Sequence, residues 1–295
     1  MNKGIWYGIS AYVMWGLFPV YWKWLHKVPA LQLICHRILW SCLILIGFIV
    51  LTRQIKAFRE NALQSSILPI YIIAALLIGV NWTIYIWGVN SGYIIETSLG
   101  YFINPLISIL LGVIFLRERL RLWQWIPIGL AALGVLYLAF AYGRLPWIAL
   151  TLASTFSLYG LVKKTAPLNA LYGLTLETGL LSLPALLYLL YVENIDQGAF
   201  LHLGTIPDIL MIGAGLMTTV PLLCFSSAVQ LTPLTLMGIL QYISPTLQFL
   251  LGVLVYRESF TGAQLIGFCI VWAALIILGV EGMFAHRRQN TKSAV

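Results

Sequence analysis

Arg37 is the residue of this chain that most needs a reason. It stands about eight positions into an apolar stretch that begins at Ala30. At such depth in a membrane an arginine costs roughly 2.5–3.5 kcal/mol, so it should face a protein interior and find a partner. Glu177 stands at a similar position in a later apolar stretch, which begins at Ala170. The expectation is a buried Arg37–Glu177 ion pair; contact of Arg37 with substrate or proton is the alternative. His36 adjoins Arg37 but points elsewhere on the same helix.

Glu96 opens another apolar stretch, Asn90 ends the one before it, and Asn81 lies deeper in that earlier stretch. A carboxylate at a helix N-terminus is favoured by the dipole, so Glu96 is either a cap or a gating, proton-carrying group. Asn104-Pro105 and Ser244-Pro245 interrupt two apolar stretches. Proline removes a backbone donor, and inside a membrane the freed carbonyl needs protein or a wet cavity. Paired interruptions in matching halves are the sequence mark of a transport site. Tyr101, Gln241 and Tyr242 lie within about a turn of these breaks. The substrate pathway is therefore assigned to Trp15, Asn81, Asn90, Tyr101, Asn104, Tyr159, Gln241 and Tyr242, with His36, Arg37, Glu96 and Glu177 for coupling or ion pairing.

The segments that position these residues repeat. Asn104-Pro105 matches Ser244-Pro245, Gly112 matches Gly252, and Arg117-Glu118 matches Arg257-Glu258, all at an offset of 140 residues. Each half holds an odd number of apolar spans, so the second copy must lie upside down in the bilayer, with a site between the halves. Glu118 and Glu258 end the repeated helices and are expected to bond loop amides or cap the following span. Lys163-Lys164 is expected as a cytoplasmic anchor.

With 61% hydrophobic and 9% charged residues, a soluble globule is excluded, since soluble domains carry about 25% charged residues. Ten spans are expected: 4–24, 30–51, 67–89, 94–116 and 122–141, then 145–162, 170–191, 207–229, 234–256 and 262–284. The fold class is an all-α polytopic membrane protein of two inverted five-helix repeats, residues 1–143 and 144–284, with a tail at 285–295. With both termini inside, 12 basic residues fall in cytoplasmic segments and 4 outside, as the positive-inside rule requires. Tryptophans near span ends (Trp6, Trp22, Trp24, Trp123, Trp125, Trp147) are read as interfacial anchors; Trp15, Trp82 and Trp87 are deeper and either line a cavity or pack between helices. The basic residues form no continuous face, so nucleic acid is not an expected partner. The four cysteines lie in apolar runs without CxxC spacing, and no metal or cofactor is expected. No nucleotide-binding loop or zinc-protease motif is present, and no converging catalytic set points to an enzyme.

The strings Glu96-Thr97-Ser98-Leu99-Gly100-Tyr101-Phe102-Ile103-Asn104-Pro105, Thr218-Thr219-Val220-Pro221 and Gln241-Tyr242-Ile243, with His36-Arg37, Asn81-Trp82 and Tyr159-Gly160-Leu161, resemble the RarD branch of the EamA family, in the drug/metabolite transporter superfamily. The resemblance covers nearly the whole chain. It implies ten helices in two inverted repeats, a bacterial inner-membrane location and a central cavity built from the first four helices of each half. It further implies export of amino acids, related metabolites or drugs, with proton coupling and oligomeric state left open. A passive facilitator or exchanger using the same cavity is the alternative.

Overall fold

A computed structural model describes residues 3–257 apart from 92 and 142–144, and, further on, residues 262, 265–267, 269–270, 272–274 and 276–277. In chain order the helices are α1 (Lys3–Trp24), α2 (Ala30–Leu51), α3 (Ile55–Ala62), α4 (Leu68–Asn90), α5 (Ile94–Ile114), α6 (Trp125–Ala141), α7 (Trp147–Thr165), α8 (Ala170–Asn194), α9 (Thr205–Leu231), α10 (Leu234–Gln241) and α11 (Ile243–Leu250). A π-helical turn, Leu251–Val255, continues α11. The described residues contain no strand.

The protein is an all-α polytopic membrane protein. Five segments are long and apolar enough to cross a bilayer: Ala30–Leu51, Leu68–Gly88, Ala170–Asn194, Thr205–Leu231 and Leu234–Val255. α1, at 22 residues, is as long as two of these and α7 is shorter at 19, and both are less apolar over their length. Nine of the ten expected spans coincide with helical segments among the described residues; most of the tenth and the whole tail at 285–295 lie outside them. The polar stretch after α2 folds as the short helix α3, held by Phe58 against Tyr172 with ring centroids 5.5 Å apart.

Several of the main helix contacts pair up under exchange of halves. α4 packs on α7 as α9 packs on α1, and α5 packs on α7 as α10 and α11 pack on α1. α2 and α8 pack on each other, as do α5 and α10. The backbone repeats as well. Arg117 and Arg257, 140 residues apart, hold left-handed conformations at φ 53° and 52°. Arg53 and Asp196 do the same at φ 57° and 54°, each just past the end of its helix.

α2 and α8 run antiparallel. Ile34, Cys35 and Ile38 near the start of α2 pack with Leu181, Ala185 and Tyr188 late in α8. Ile49 near the end of α2 packs with Leu168, Tyr172 and Leu176 at the start of α8. Close approach is achieved through small residues, as is usual between membrane helices. A Cβ on Gly215 of α9 would come within 2.7 Å of the Trp40 backbone of α2.

The two repeated prolines behave differently. α5 runs unbroken through Pro105, whereas in the corresponding segment the helical hydrogen bonding is interrupted at Tyr242 between α10 and α11, although Tyr242 keeps right-handed helical angles (φ −63°, ψ −15°). Pro19 inside α1 cannot donate to the Trp15 carbonyl one turn back. Gln248 of α11 takes over that acceptor, its Nε2 donating to Trp15 O at 3.1 Å.

Candidate functional site

A cavity of about 190 Å³ lies where the two halves cross. α1 supplies Tyr12, Trp15, Pro19 and Trp22; α2 supplies Arg37; α4 supplies Asn81, Trp82 and Tyr85. α5 contributes Tyr101 and Asn104, α7 Leu152 and Phe156, and α9 Thr218 and Leu222. Gln241, Ser244 and Gln248 come from α10 and α11. Arg37 is the sole charged residue among the described residues of this wall.

Arg37 is held by three neighbours. Its Nε donates to Thr218 Oγ1 at 2.9 Å, and its guanidinium lies 4.8 Å from the Trp22 ring centroid and 5.2 Å from that of Trp82. The aromatic faces attract the cation and fix its plane. Tyr85 and Tyr101 stand edge to face, 5.9 Å apart, in the same wall.

The expected Arg37–Glu177 pair is not formed. Glu177 Oε1 instead accepts from Lys163 Nζ at 2.7 Å, and Oε2 accepts from the Tyr159 hydroxyl at 2.8 Å. The reason lies in the antiparallel course of α2 and α8. Equal distances from two helix starts become opposite depths, so Arg37 and Glu177 stand roughly 10 Å apart along the axis at 1.5 Å rise per residue. Lys163, expected as a cytoplasmic anchor, is instead buried in this pair, its side chain only 1% exposed. Tyr159, expected in the substrate pathway, is buried beside this pair. Stacked rings connect the two sites: Trp15 of the cavity wall contacts Phe225, and Phe225 stacks on Tyr159.

Other assigned residues divide clearly. Trp15, Arg37, Asn81, Tyr101, Asn104 and Gln241 reach the cavity. Asn81 is also anchored, its Nδ2 donating to Leu152 O at 2.8 Å and Thr155 Oγ1 at 2.9 Å. Asn104 Oδ1 accepts from Ser157 at 2.6 Å, tying α5 to α7. Tyr242 is buried outside the cavity wall, against its own repeat mate: its hydroxyl donates to Phe102 O at 3.5 Å. His36 points away from Arg37 and packs 5.0 Å from the Phe200 ring. Asn90 is the last residue of α4, and its side chain lies outside the described residues.

Both described capping carboxylates serve neighbouring helices. Glu96 is buried and accepts the Ile148 N–H at 2.7 Å, at the start of α7. Glu118 accepts the amides of Leu234 and Thr235, at the start of α10, at 2.6 and 2.8 Å. Glu258 lies outside the described residues. These bonds satisfy donors that a helix start leaves open.

Sequence reasoning missed Trp22, Tyr85, Thr218 and Gln248. Trp22 sits near a helix end, where an interfacial anchor belongs, and its contact with Arg37 is tertiary. Gln248 was visible as an amide inside an apolar span, the same signal that marked Gln241. Trp87 is 46% exposed and stacks near Trp147 at 5.6 Å, away from the cavity.

The chain matches the EamA-like transporter family twice, over residues 2–140 and 145–280. It is 43% identical to "Uncharacterized transporter YojE" of Bacillus subtilis over 94% of this chain and 93% of that protein. It is 43% identical to "Protein RarD" of Streptomyces exfoliatus, covering 99% and 92%, and 39% identical to "Protein RarD" of Escherichia coli, covering 98% of both chains. A solved crystal structure superposes with a TM-score of 0.70 at 18% identity, over 94% of this chain and 97% of that one. The helical bundle, its repeat and these relatives agree: the chain belongs to the EamA-like transporter family, in its RarD-like branch, and is a membrane transporter.

Proposed function

We propose that this protein is a secondary transporter of the bacterial inner membrane that exports small organic metabolites by alternating access. The observation that carries the reading is the cavity itself. Both halves build its wall, and each contributes amide and hydroxyl groups that a lipid-facing bundle would have to leave unsatisfied. The antiparallel α2 and α8 and the exchange-related packing support two inverted repeats, with residues 1–143 and 144–284 as the units. The 12-to-4 distribution of basic residues supports cytoplasmic termini.

Alternating access then has a physical basis. The two copies of one repeated element differ: α5 is uninterrupted through Pro105, while its counterpart loses helical hydrogen bonding at Tyr242, three residues before Pro245. Exchange of this difference between the halves would close one entrance while opening the other. The buried Lys163–Glu177 pair lies beyond the ring stack at the edge of this pathway. Glu96 is held by a backbone amide and Glu177 by the side-chain donors of Lys163 and Tyr159, and it is this side-chain cluster that the reading assigns to link a proton to such an exchange.

The test is reconstitution of the purified chain in liposomes loaded with a labelled metabolite panel. Protein-dependent counterflow supports transport, and concentration of substrate under an imposed pH gradient supports proton coupling. Exchange without concentration under any gradient would make the protein a facilitator. Absence of counterflow for the whole panel would remove the reading. Reporter fusions near Lys3 and Lys292 test the termini.

A further inference from the structure

We propose that the cavity selects small monocarboxylates with a flat apolar body and rejects cations and zwitterions, with Arg37 as the residue that takes the carboxylate. This deepens the transport reading and rests on it for its biological meaning.

The charge balance is the first argument. Arg37 is the one charge on the described cavity wall, and no Asp or Glu lies there. Its single hydrogen bond among the described residues is from Nε to Thr218. The two terminal nitrogens have no protein acceptor among the described residues, and no carboxylate pairs with the guanidinium. Arg37 is half-buried on the cavity wall, and a cation held inside a membrane protein without a counter-charge is costly. A ligand bearing one negative charge would neutralise it, and the guanidinium fork matches a planar carboxylate in a two-point contact. A ligand ammonium, by contrast, would meet net positive charge and no acid.

The second argument is shape. Trp22 and Trp82 hold the guanidinium from their ring faces. Trp15, Tyr85, Tyr101 and Phe156 supply further flat apolar surface in the same cavity. Its volume of about 190 Å³ is of the order that holds a single benzene-sized ring, since a cavity of about 150 Å³ accommodates benzene. Asn81 has spent both amide donors on α7 and keeps only its Oδ1 as an acceptor. Arg37 is thus the one charged orienting group of the described wall, with neutral amides and hydroxyls such as Gln241 and Ser244 beside it.

The experiment uses the full chain in lipid nanodiscs and equilibrium binding of four matched probes: benzoate, benzamide, benzylamine and phenylglycine. Benzoate should bind at least about tenfold more tightly than each of the others. Arg37→Gln should reduce benzoate binding about tenfold or more while leaving benzamide nearly unchanged. Arg37→Lys, which keeps the charge and loses the fork, should fall between. If Arg37→Gln fails to fold, the probe ranking on the unaltered chain and the Arg37→Lys variant decide. Equal binding of benzamide, tighter binding of benzylamine or phenylglycine, or no binding of any probe would overturn the proposal. Counterflow in liposomes separates the two readings. Transport with no preference for carboxylates defeats the selectivity and leaves the transporter. Benzoate binding without any transmembrane exchange defeats transport and leaves the anion site.

Discussion

Lys163 Nζ and Glu177 Oε1 stand 2.7 Å apart with both side chains only 1% exposed, bridging α7 and α8. Tyr159 completes the carboxylate's coordination from one turn earlier on α7. Breaking such a pair leaves one charge buried and uncompensated, at about 3–5 kcal/mol, whereas replacing both members with apolar groups is often nearly neutral. Lys163→Met and Glu177→Leu should each lower the thermal midpoint in detergent strongly, and the double substitution should recover most of the loss. Additive losses would show that the two side chains do not share one interaction.

Glu96→Gln separates a cap from a proton carrier. Glu96 accepts the Ile148 amide with one oxygen, and glutamine retains a carbonyl oxygen for that bond. Glu96→Gln should therefore leave gradient-driven accumulation intact, while Glu96→Ala should destabilise the fold by about 0.5–2 kcal/mol, the usual range for a lost cap. Loss of accumulation with exchange preserved in Glu96→Gln would restore the proton-carrying role.

The helix segments were legible because apolar runs of membrane length and a gapless 140-residue repeat are properties of the sequence itself. So were Arg37 and Asn104, whose polarity is out of place in such runs. The failure of the Arg37–Glu177 pair was itself legible, because an inverted repeat makes α2 and α8 antiparallel and puts equal positions from the two helix starts at opposite depths. The partners Arg37 does have were not legible, since Thr218 and Trp22 reach it from other helices through tertiary packing. Trp22 shows the complementary limit: its place near a helix end suits an anchor, and only the packing of α1 beside α2 brings it over the guanidinium.

Gln248 and Pro19 should be coupled. The proline leaves the Trp15 carbonyl without its helical donor, and Gln248 supplies one at 3.1 Å. Gln248→Leu should cost about 1 kcal/mol by leaving the carbonyl of half-buried Trp15 without its donor. In a Pro19→Ala background the backbone N–H returns, so the same leucine should cost much less. A double-mutant cycle on thermal or denaturant unfolding measures the difference, and an unchanged penalty would refute the compensation.

His202 and Glu193 form a pair in the exposed segment between α8 and α9, with Nε2 and Oε1 2.9 Å apart. The hydrogen bond and charge of Glu193, aided by Asp196 and Asp208, raise the His202 pKa above its ordinary value of 6.5. A raised folded-state pKa contributes stability that is fully present below the unfolded value and lost as pH rises through the folded one. The histidine titration followed by NMR should have its midpoint above 6.5 and move down in Glu193→Gln. The global stability change should be small, because the pair is exposed to solvent and screened.

Arg53 and Asp196 offer a test of the repeat at the level of backbone. After α2, Arg53 N–H bonds Val50 O at 3.0 Å and Gln54 N–H bonds Ile49 O at 2.9 Å. After α8, Asp196 N–H bonds Glu193 O at 3.1 Å and Gln197 N–H bonds Val192 O at 2.9 Å. Both are the crossed pair of bonds that closes a helix around a left-handed residue, a place where glycine is preferred because it has no Cβ to clash. A side chain there carries strain of roughly 1–2 kcal/mol, offset in part by the greater freedom that glycine gives the unfolded chain. Arg53→Gly and Asp196→Gly should each be neutral or stabilising by up to about 1 kcal/mol, whereas a β-branched Val at either site should destabilise. Matching signs at the two positions are expected, since the same backbone motif ends both helices. Stabilisation by valine at either position would contradict the left-handed turn there.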